Sequence, residues 1–240
     1  LFAQVFRLSD CPPFVHNDQK GKRDMPTNNT ANPFETGDDE IERFALEECI
    51  KRQRVDHRVA VMVWPAAHCE LAVKFAKLGA RVTAADREAN QQNVEGRILA
   101  SGYGNEIRYA SLDLPNIPDD LPDEPYDIIV IRYGLSHLPY LEARAVIRQF
   151  MLKLRIGGKL YVSILGINSE LGDGYEDREK TVEERFCNLA PAMIKKYNIK
   201  GKVCLYSERN LFLLLLEAGA SVLRTLTTTY GNVKAVAVRV

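Results

Sequence analysis

A strand–helix–strand pattern over Val59–Asp86 constrains the fold of this chain most. Val59–Val63 is a short apolar run of the kind that forms a buried parallel strand. Apolar residues then recur at helical spacing until Gly79, a typical helix stop. A second strand follows and ends at Asp86. Ligands of open α/β sheets bind at the carboxyl ends of the strands, so Asp86 is a candidate ligand-binding residue.

This stretch resembles the opening unit of the class I S-adenosylmethionine-dependent methyltransferases. The tetrapeptide Gly79–Val82, GARV, is similar to a sequence that is frequent in that family before the second strand. Asp86 matches the carboxylate that holds the cofactor ribose hydroxyls in the family. The resemblance therefore implies S-adenosylmethionine as the cofactor.

The glycine-rich cofactor loop of that family is rewritten in this chain. The family's first strand ends in an acidic residue followed by Gly-x-Gly-x-Gly. Counted back from Gly79, the acidic position is Val63 and the glycine positions are Pro65, Ala67 and Cys69. Proline has a fixed φ and no N–H, and each Cβ costs about 1–2 kcal/mol wherever a left-handed backbone is required. The loop is thus a degenerate form of the motif, and we expect weak or absent cofactor binding. A different loop path, with Trp64 as a new wall of the site, is the alternative.

Two later motifs resemble the same family. After a third strand, Asp113 matches a family position that lies at the adenine ring, and Leu114 and Pro115 match the apolar-Pro pair that follows it. A register that puts Ala110 at this position, or a simple loop role for Asp113, remains an alternative. Tyr126–Ile131 is a strongly apolar strand, and Leu-Ser-His-Leu at 135–138 resembles the family's fourth motif.

The last part of the chain matches the remaining strands. Leu154–Leu160, LRIGGKL, resembles the family's turn into its fifth strand, with two glycines for a tight turn. Residues 221–229 and 233–240 surround a Tyr-Gly-Asn turn, which predicts an antiparallel hairpin. We therefore predict a three-layer α/β fold with a seven-stranded, mostly parallel sheet and a C-terminal antiparallel hairpin, over residues 38–240.

The end of the predicted fourth strand is where cofactor and acceptor would meet. Tyr133 and His137 are predicted substrate contacts, and His137 is the candidate general base because histidine titrates near neutral pH. A wall or loop-holding role is the alternative for His137. Arg132 would repel a sulfonium but attract an anionic substrate or an acidic group of the cofactor. The full set of predicted cofactor contacts is Trp64, Pro65, Ala66, Asp86, Arg87, Asp113, Leu114, Ile131 and Arg132.

Three segments outside this pattern complete the predicted domain plan. Residues 1–8 are mildly apolar and residues 16–39 are rich in polar residues without a hydrophobic period, so residues 1–37 are predicted to form an extended lead-in. An amphipathic helix is expected from Asp38 to Arg54. Residues 166–206 form a long insertion, predicted to be a lid or substrate cap with Tyr175 as a substrate contact. A solvated structural insertion is the alternative.

Composition narrows the expected partners. Lys plus Arg equals Asp plus Glu at 32 each, so no excess of basic charge indicates nucleic acid or an anionic membrane. The 5 cysteines are scattered without a C-x-x-C pair, which predicts reduced thiols and a cytoplasmic protein. Cys69 lies at a helix start, where a thiol pKa can fall, so it is either a nucleophile or a small residue in a glycine position. No metal-ligand spacing is present in the sequence, and no metal is predicted.

The predicted function is methyl transfer from S-adenosylmethionine to a small-molecule acceptor. Positioning and desolvation carry much of the rate of such a reaction, so the lack of a catalytic triad is weak evidence against activity. The alternative is a non-catalytic descendant, a binding or partner module that keeps the fold after losing normal cofactor binding.

Overall fold

A computed structural model describes residues 39–54 and 57–240. The predicted lead-in of residues 1–37 and the predicted helix start at Asp38 lie outside the described residues. Within them, a central sheet separates two layers of helices. No helix in this part of the chain has the length and apolar character needed to cross a membrane.

The main sheet has seven strands in the order β3-β2-β1-β4-β5-β9-β8. In this sheet β9 runs opposite to the other six strands. Strands β6 and β7 pair in a separate two-stranded sheet. The strands are β1 (Ala60–Trp64), β2 (Arg81–Asp86), β3 (Ile107–Ser111), β4 (Tyr126–Arg132), β5 (Leu154–Ile164), β6 (Cys187–Asn188), β7 (Lys202–Val203), β8 (Ser221–Thr227) and β9 (Val233–Val238). The helices are α1 (Glu40–Arg52), α2 (Glu70–Lys77), α3 (Gln91–Ser101), α4 (Tyr140–Lys153), α5 (Pro191–Tyr197) and α6 (Glu208–Glu217).

This architecture confirms the predicted seven-stranded sheet and its C-terminal hairpin. The predicted tight turn at Gly157 and Gly158 lies inside β5, where residues 155–158 form an excursion between the register pairs Leu154–Tyr126 and Lys159–Ile128, and a Cβ on Gly158 would lie 2.8 Å from the carbonyl of Arg155. Gly157 has a φ of 76° and donates its N–H to the carbonyl of Arg239 at 2.7 Å, while Gly158 accepts from the N–H of Arg239 at 3.0 Å. The residues after β9 therefore pair with this part of β5. Glycine suits position 157 because its φ is positive, which is unfavourable for a residue with a Cβ.

The first helix is held to the sheet by ion pairs as well as by apolar contacts. Its N-cap, Asp39, accepts from the N–H of Ile41 at 2.8 Å and from Lys234 Nζ of β9 at 3.0 Å. Further along, Glu48 accepts from Lys159 Nζ of β5 at 2.7 Å and from Arg52 Nε at 2.6 Å. Burial opposes ionisation of Glu48, but these two hydrogen bonds outweigh it and lower the pKa of the carboxyl.

The 166–206 insertion is packed around its own small apolar cluster. That cluster consists of Leu165, Ile167, Leu171, Tyr175, Leu189, Val203 and Leu205. Arg185 is buried beside it and donates to several carbonyls, among them that of Leu205 at 2.8 Å. The N–H of Cys204 donates to the carbonyl of Ser136 at 2.8 Å, which attaches the insertion to the segment that follows β4.

Candidate functional site

The loop between β1 and α2 follows a glycine-type path without glycine. Ala67 has a φ of 48° and Cys69 a φ of 60°, so both residues are in the left-handed region. Each Cβ there costs about 1–2 kcal/mol. The positions that match the family's second and third glycines therefore keep the backbone conformation for which glycine is preferred.

Three main-chain donors of this loop, the N–H groups of Ala66, Ala67 and Cys69, are already used within the protein. The N–H of Ala66 donates to the carbonyl of Ala85 at 2.8 Å, and that of Cys69 donates to the carbonyl of Ala66 at 2.8 Å. Pro65 has no N–H to offer. The N–H of Ala67 donates to Asp86 Oδ2 at 2.9 Å. A ligand that needs these donors has to displace an existing hydrogen bond.

Asp86 anchors the loop from the carboxyl end of β2. Its Oδ1 accepts from the N–H of Arg87 at 2.8 Å and from Asn90 Nδ2 at 2.7 Å, and its Oδ2 accepts from Ala67. Only 3% of the residue is exposed. A carboxylate has about four acceptor positions, so three partners leave one on Oδ2. Asp86 can therefore anchor the loop and still accept one ligand hydroxyl.

Trp64 forms a buried wall beneath this edge of the sheet. Its indole Nε1 donates to the carbonyl of Leu112 after β3 at 3.2 Å. Its ring also fills the space above Gly134, where a Cβ would lie 1.8 Å from the ring. The side chains of Trp64, Ala66 and Ile131 are all buried, so a ligand can reach these predicted contacts chiefly through their main chain.

The structure brings together two predicted cofactor contacts, Arg87 and Asp113. Their side chains lie 3.2 Å apart, from Nε to Oδ1, at the ends of β2 and β3. Both are well exposed, so the pair contributes little to stability and is free to exchange partners. Leu114 next to Asp113 is half-buried and packs on the core.

Arg132 lies at the end of β4 and contacts the rewritten loop. Its Nη1 donates to Glu42 Oε1 of α1 at 2.7 Å, and its Nη2 donates to the carbonyl of Pro65 at 3.2 Å. Lys74 Nζ is 3.8 Å from the other oxygen of Glu42. The Glu42 carboxylate offsets much of the Arg132 charge, which weakens the expected repulsion of a sulfonium.

Tyr133 and His137 follow β4 at the same edge. Tyr133 has a φ of 58°, and its N–H donates to the carbonyl of Ser163 at 2.7 Å. Left-handed backbone at such a residue stores strain of the kind found at functional sites. His137 is exposed at the surface, yet desolvation by the surrounding protein and the charge of Arg87 lower its pKa, against a hydrogen bond to the backbone of Lys202. The neutral imidazole is therefore favoured near pH 7.

Two further predicted residues lie in the protein interior. Tyr175 is 3% exposed and donates its hydroxyl to the carbonyl of Val203 at 2.6 Å, inside the insertion. Its role as a substrate contact remains a prediction. Cys69 is buried, and burial raises the pKa of its thiol. This favours a structural role for Cys69, as a small residue in a glycine position, over a role as a nucleophile.

Sequence reasoning missed Glu42, Asn90 and Ser163 as parts of this edge. Asn90 could have been noticed from its spacing of four residues after Asp86. No local signal marks Glu42 or Ser163, because their neighbours come from sequence-distant strands. Among the described residues, no group of three or more histidine, cysteine or acidic side chains is arranged to hold a metal ion.

A separate cavity lies at the opposite end of β4. It has a volume of about 260 Å³ and is lined by Lys51, Arg52, Arg54, His57 and Asp127. Asp127 in it accepts from the N–H of Ala60 at 2.9 Å and lies 3.2 Å from His57 Nε2. The cavity is not part of the site at the carboxyl ends of the strands.

No family model matches the sequence. A curated uncharacterized methyltransferase of Anoxybacillus flavithermus is 28% identical over 108 residues, which cover 41% of this chain and 51% of that protein. The match thus spans about half the length of the curated relative.

Solved structures give a wider match. An O-methyltransferase family protein from Burkholderia thailandensis has a TM-score of 0.59 at 14% identity and covers 83% of this chain and 55% of that one. The CcbJ methyltransferase from Streptomyces caelestis has a TM-score of 0.58 at 15% identity, over 83% of this chain and 88% of that one. PigF, solved with SAH, has a TM-score of 0.56 at 16% identity, over 83% of this chain and 64% of that one. The chain has the class I methyltransferase fold.

The residues of this methyltransferase-fold domain fit the nucleoside half of the cofactor. Asp86 retains an acceptor for a hydroxyl, and Arg87 with Asp113 offers exposed charged groups at the neighbouring strand ends. The loop keeps a glycine-type backbone conformation at Ala67, but the N–H of Ala67 is already bonded to Asp86. The fit is therefore better at the β2–β3 side than along the loop.

Proposed function

We propose that this protein transfers a methyl group from S-adenosylmethionine to a small-molecule acceptor. The observation that carries the proposal is the left-handed path of Ala67 and Cys69 beside Asp86. A chain that no longer used this edge would have no reason to keep two strained residues there, each costing about 1–2 kcal/mol. The methyltransferase folds of the solved relatives support the same reaction.

The nucleoside would be held by Asp86, Arg87 and Asp113. When bound, the cofactor supplies an electrophilic methyl group on a sulfonium. Arg132, paired with Glu42, orients the segment after β4 toward the loop through the carbonyl of Pro65. These residues bind and position, which is the contribution that methyl transfer needs most.

His137 is the proposed proton acceptor for a hydroxyl group of the acceptor. Desolvation and Arg87 lower its pKa, so the imidazole is neutral at pH 7 and able to take a proton. The 166–206 insertion lies beside this segment, since the N–H of Cys204 donates to the carbonyl of Ser136 next to His137.

Isothermal titration calorimetry with S-adenosylmethionine and with S-adenosylhomocysteine tests the proposal. We expect binding weaker than micromolar, because Pro65 lacks a donor and Ala67 and Cys69 crowd the approach. The triple variant Pro65→Gly, Ala67→Gly, Cys69→Gly should bind more tightly. A melting curve is a poor substitute, since 0.1 mM ligand at a dissociation constant of about 1 mM stabilises a fold by less than about 0.1 kcal/mol. No heat with either protein at millimolar ligand would refute the proposal.

A second candidate function is a non-catalytic binding or partner module with this fold. It is favoured by the internal use of the loop donors, above all the hydrogen bond from Ala67 to Asp86 at 2.9 Å. In that case the triple variant would gain no affinity for S-adenosylmethionine, because residues outside the loop would also prevent the cofactor from binding. Micromolar binding by the unmodified protein would eliminate this candidate.

A further inference from the structure

The cavity at the opposite end of β4 is strongly basic. Its volume is about 260 Å³, and its lining residues are Lys51, Arg52, Arg54, His57 and Asp127. All but Asp127 are basic, although the whole chain has equal numbers of acidic and basic residues at 32 each. The basic residues come from one short stretch of sequence at the end of α1, so that stretch sets the charge of the cavity.

Asp127 gathers basic groups at this cavity. It is 3% exposed, and its Oδ2 accepts from the N–H of Ala60 at 2.9 Å. His57 Nε2 lies 3.2 Å from both carboxylate oxygens. Arg155 Nε and Arg52 Nη1 lie 3.8 Å and 3.9 Å from Oδ1. Three basic groups from different parts of the chain therefore converge on a single oxygen atom of one buried carboxylate.

Arg52 is held in the cavity wall with one nitrogen left over. Its Nε donates to Glu48 Oε1 at 2.6 Å, and its Nη2 donates to the carbonyl of Gly157 at 2.5 Å. Its Nη1 is 3.9 Å from Asp127, which is beyond hydrogen-bond distance. Glu48 also accepts from Lys159 Nζ at 2.7 Å, so its single negative charge is shared between two cations. Arg52 therefore keeps a donor and part of its positive charge for the cavity.

Lys51 and Arg54 add charge that the described residues leave unbalanced. Both side chains are exposed, and neither forms an ion pair with another residue in the ranges 39–54 and 57–240; Asp56 lies in the gap between these ranges. The C-terminal end of α1 carries a partial negative charge of about 0.5. Together with the carboxylate of Asp127, this is less than the three positive charges of the arginines and lysine that line the cavity. The described cavity is thus net positive.

The donors of this cavity match a phosphate group. Guanidinium groups bind oxyanions through their N–H groups, and lysine binds phosphate as a point charge. A phosphate group has a charge of about −1.5 to −2 and three strong acceptor oxygens, so it can contact more separate cations than a carboxylate can. The volume of the cavity is just below the range of about 300–1,000 Å³ that is typical for drug-sized ligands, which indicates a small ligand.

We propose that this cavity binds a phosphate group, either as free phosphate or as part of a small molecule. Lys51 and Arg54 would supply the exposed charges, and Arg52 would supply the fixed donor Nη1. Asp127 would hold Arg52 and His57 in position. The occupant is a second ligand, distinct from the methyl donor and acceptor, because the cavity lies at the opposite end of the strand from the proposed methyl-transfer site.

Isothermal titration calorimetry at low ionic strength tests the inference, since salt screens exposed charges. The probes are inorganic phosphate and glycerol 3-phosphate, with acetate as a singly charged carboxylate. We expect phosphate to bind at one site and acetate to bind more weakly. Tighter binding of glycerol 3-phosphate than of phosphate would identify a phosphate ester as the ligand, and the reverse order would identify free phosphate. Acetate binding as tightly as the phosphates, no phosphate binding at millimolar concentration, or binding of an oligonucleotide alone would overturn the proposal.

Lys51→Gln, Arg54→Gln and the matched control Lys77→Gln locate the binding site. Lys51 and Lys77 are both exposed and both lie in the last turn of a helix, but Lys77 does not line the cavity. Each cavity variant should weaken phosphate binding about 3- to 10-fold, whereas Lys77→Gln should leave it unchanged. Unchanged affinity in both cavity variants, or an equal loss in all three proteins, would refute the assignment to this cavity.

A competition titration separates the inference from the proposed function. Saturation with S-adenosylmethionine should leave phosphate binding in place, and displacement of phosphate would overturn the assignment to this cavity. Phosphate binding by a protein that binds no S-adenosylmethionine would support the phosphate site and remove the proposed enzyme. Binding of S-adenosylmethionine without any phosphate binding would keep the enzyme and remove the phosphate site.

Discussion

Ala67→Gly tests whether the loop after β1 stores strain. At a φ of 48° the alanine Cβ costs about 1–2 kcal/mol, which glycine does not pay. Glycine also raises the entropy of the unfolded chain, which offsets about 0.4–1 kcal/mol of that gain. Ala67 is only half-buried, and its hydrogen bond to Asp86 uses the main-chain N–H and is retained. The net expectation is a stabilisation of about 0.5–1 kcal/mol.

Thermal or urea unfolding of Ala67→Gly measures this difference. For a chain of this length the melting temperature should rise by about 1–4 °C. The matched control is Ala66→Gly, since Ala66 is 1% exposed and lies outside the left-handed region. Glycine at position 66 raises the entropy of the unfolded chain by the same amount but relieves no backbone strain, so Ala66→Gly should lower the free energy of unfolding.

Equal losses of stability in Ala67→Gly and Ala66→Gly would refute this reasoning. The loop would then accommodate the Cβ atoms of Ala67 and Cys69 without a cost in folding free energy. Backbone strain would no longer support a retained cofactor site. Cofactor titration of the same variant gives a second reading. If crowding by the Cβ of Ala67 limits access, affinity should rise together with stability.

Three other perturbations probe the same edge of the sheet. Asp86→Asn should lower the free energy of unfolding in urea by about 1–3 kcal/mol, because the new amide NH₂ would face N–H donors of the loop such as that of Ala67. An unchanged urea midpoint would show that Asp86 does not anchor the loop. Because desolvation and Arg87 lower the pKa of His137, methyl transfer to a hydroxyl acceptor should fall only below about pH 6.5, and His137→Gln should abolish this acid limb of the pH–rate profile. Burial raises the pKa of the Cys204 thiol to about 12, so this thiol should resist iodoacetamide in the native protein at pH 8 and react after unfolding. Rapid labelling of Cys204 in the native protein would contradict its burial.

The sheet could be predicted from the sequence because each strand and helix carries its own local pattern. The apolar run of β1, the helix stop at Gly79 and the carboxyl-terminal Asp86 needed no knowledge of distant residues. The possible strain at Ala67 and Cys69 was also foreseeable, since their alignment with glycines already suggested a left-handed backbone.

Most of the site's hydrogen bonds could not be predicted, because they join residues that are far apart in sequence. Arg132 was recognised as unusual, but its partner Glu42 lies 90 residues away on α1. Ser163 gave no signal, because its neighbours are fixed only when β4 and β9 pair with β5 in register. Asp86 was predicted as a ligand of the cofactor, and its role as loop anchor depends on the folded position of Ala67.

The ion pair between Asp39 and Lys234 also bears on the order in which this chain can assemble. It joins residues 195 positions apart, from the first described helix to the last strand. Contacts of such long range form late, because a long loop must be closed before they contribute. During synthesis the partner of Asp39 is made 195 residues after it. The N-cap end of α1 therefore gains its contact with β9 only after the last strand of the described sheet has been made, whereas its contacts with β4 and β5 can form earlier.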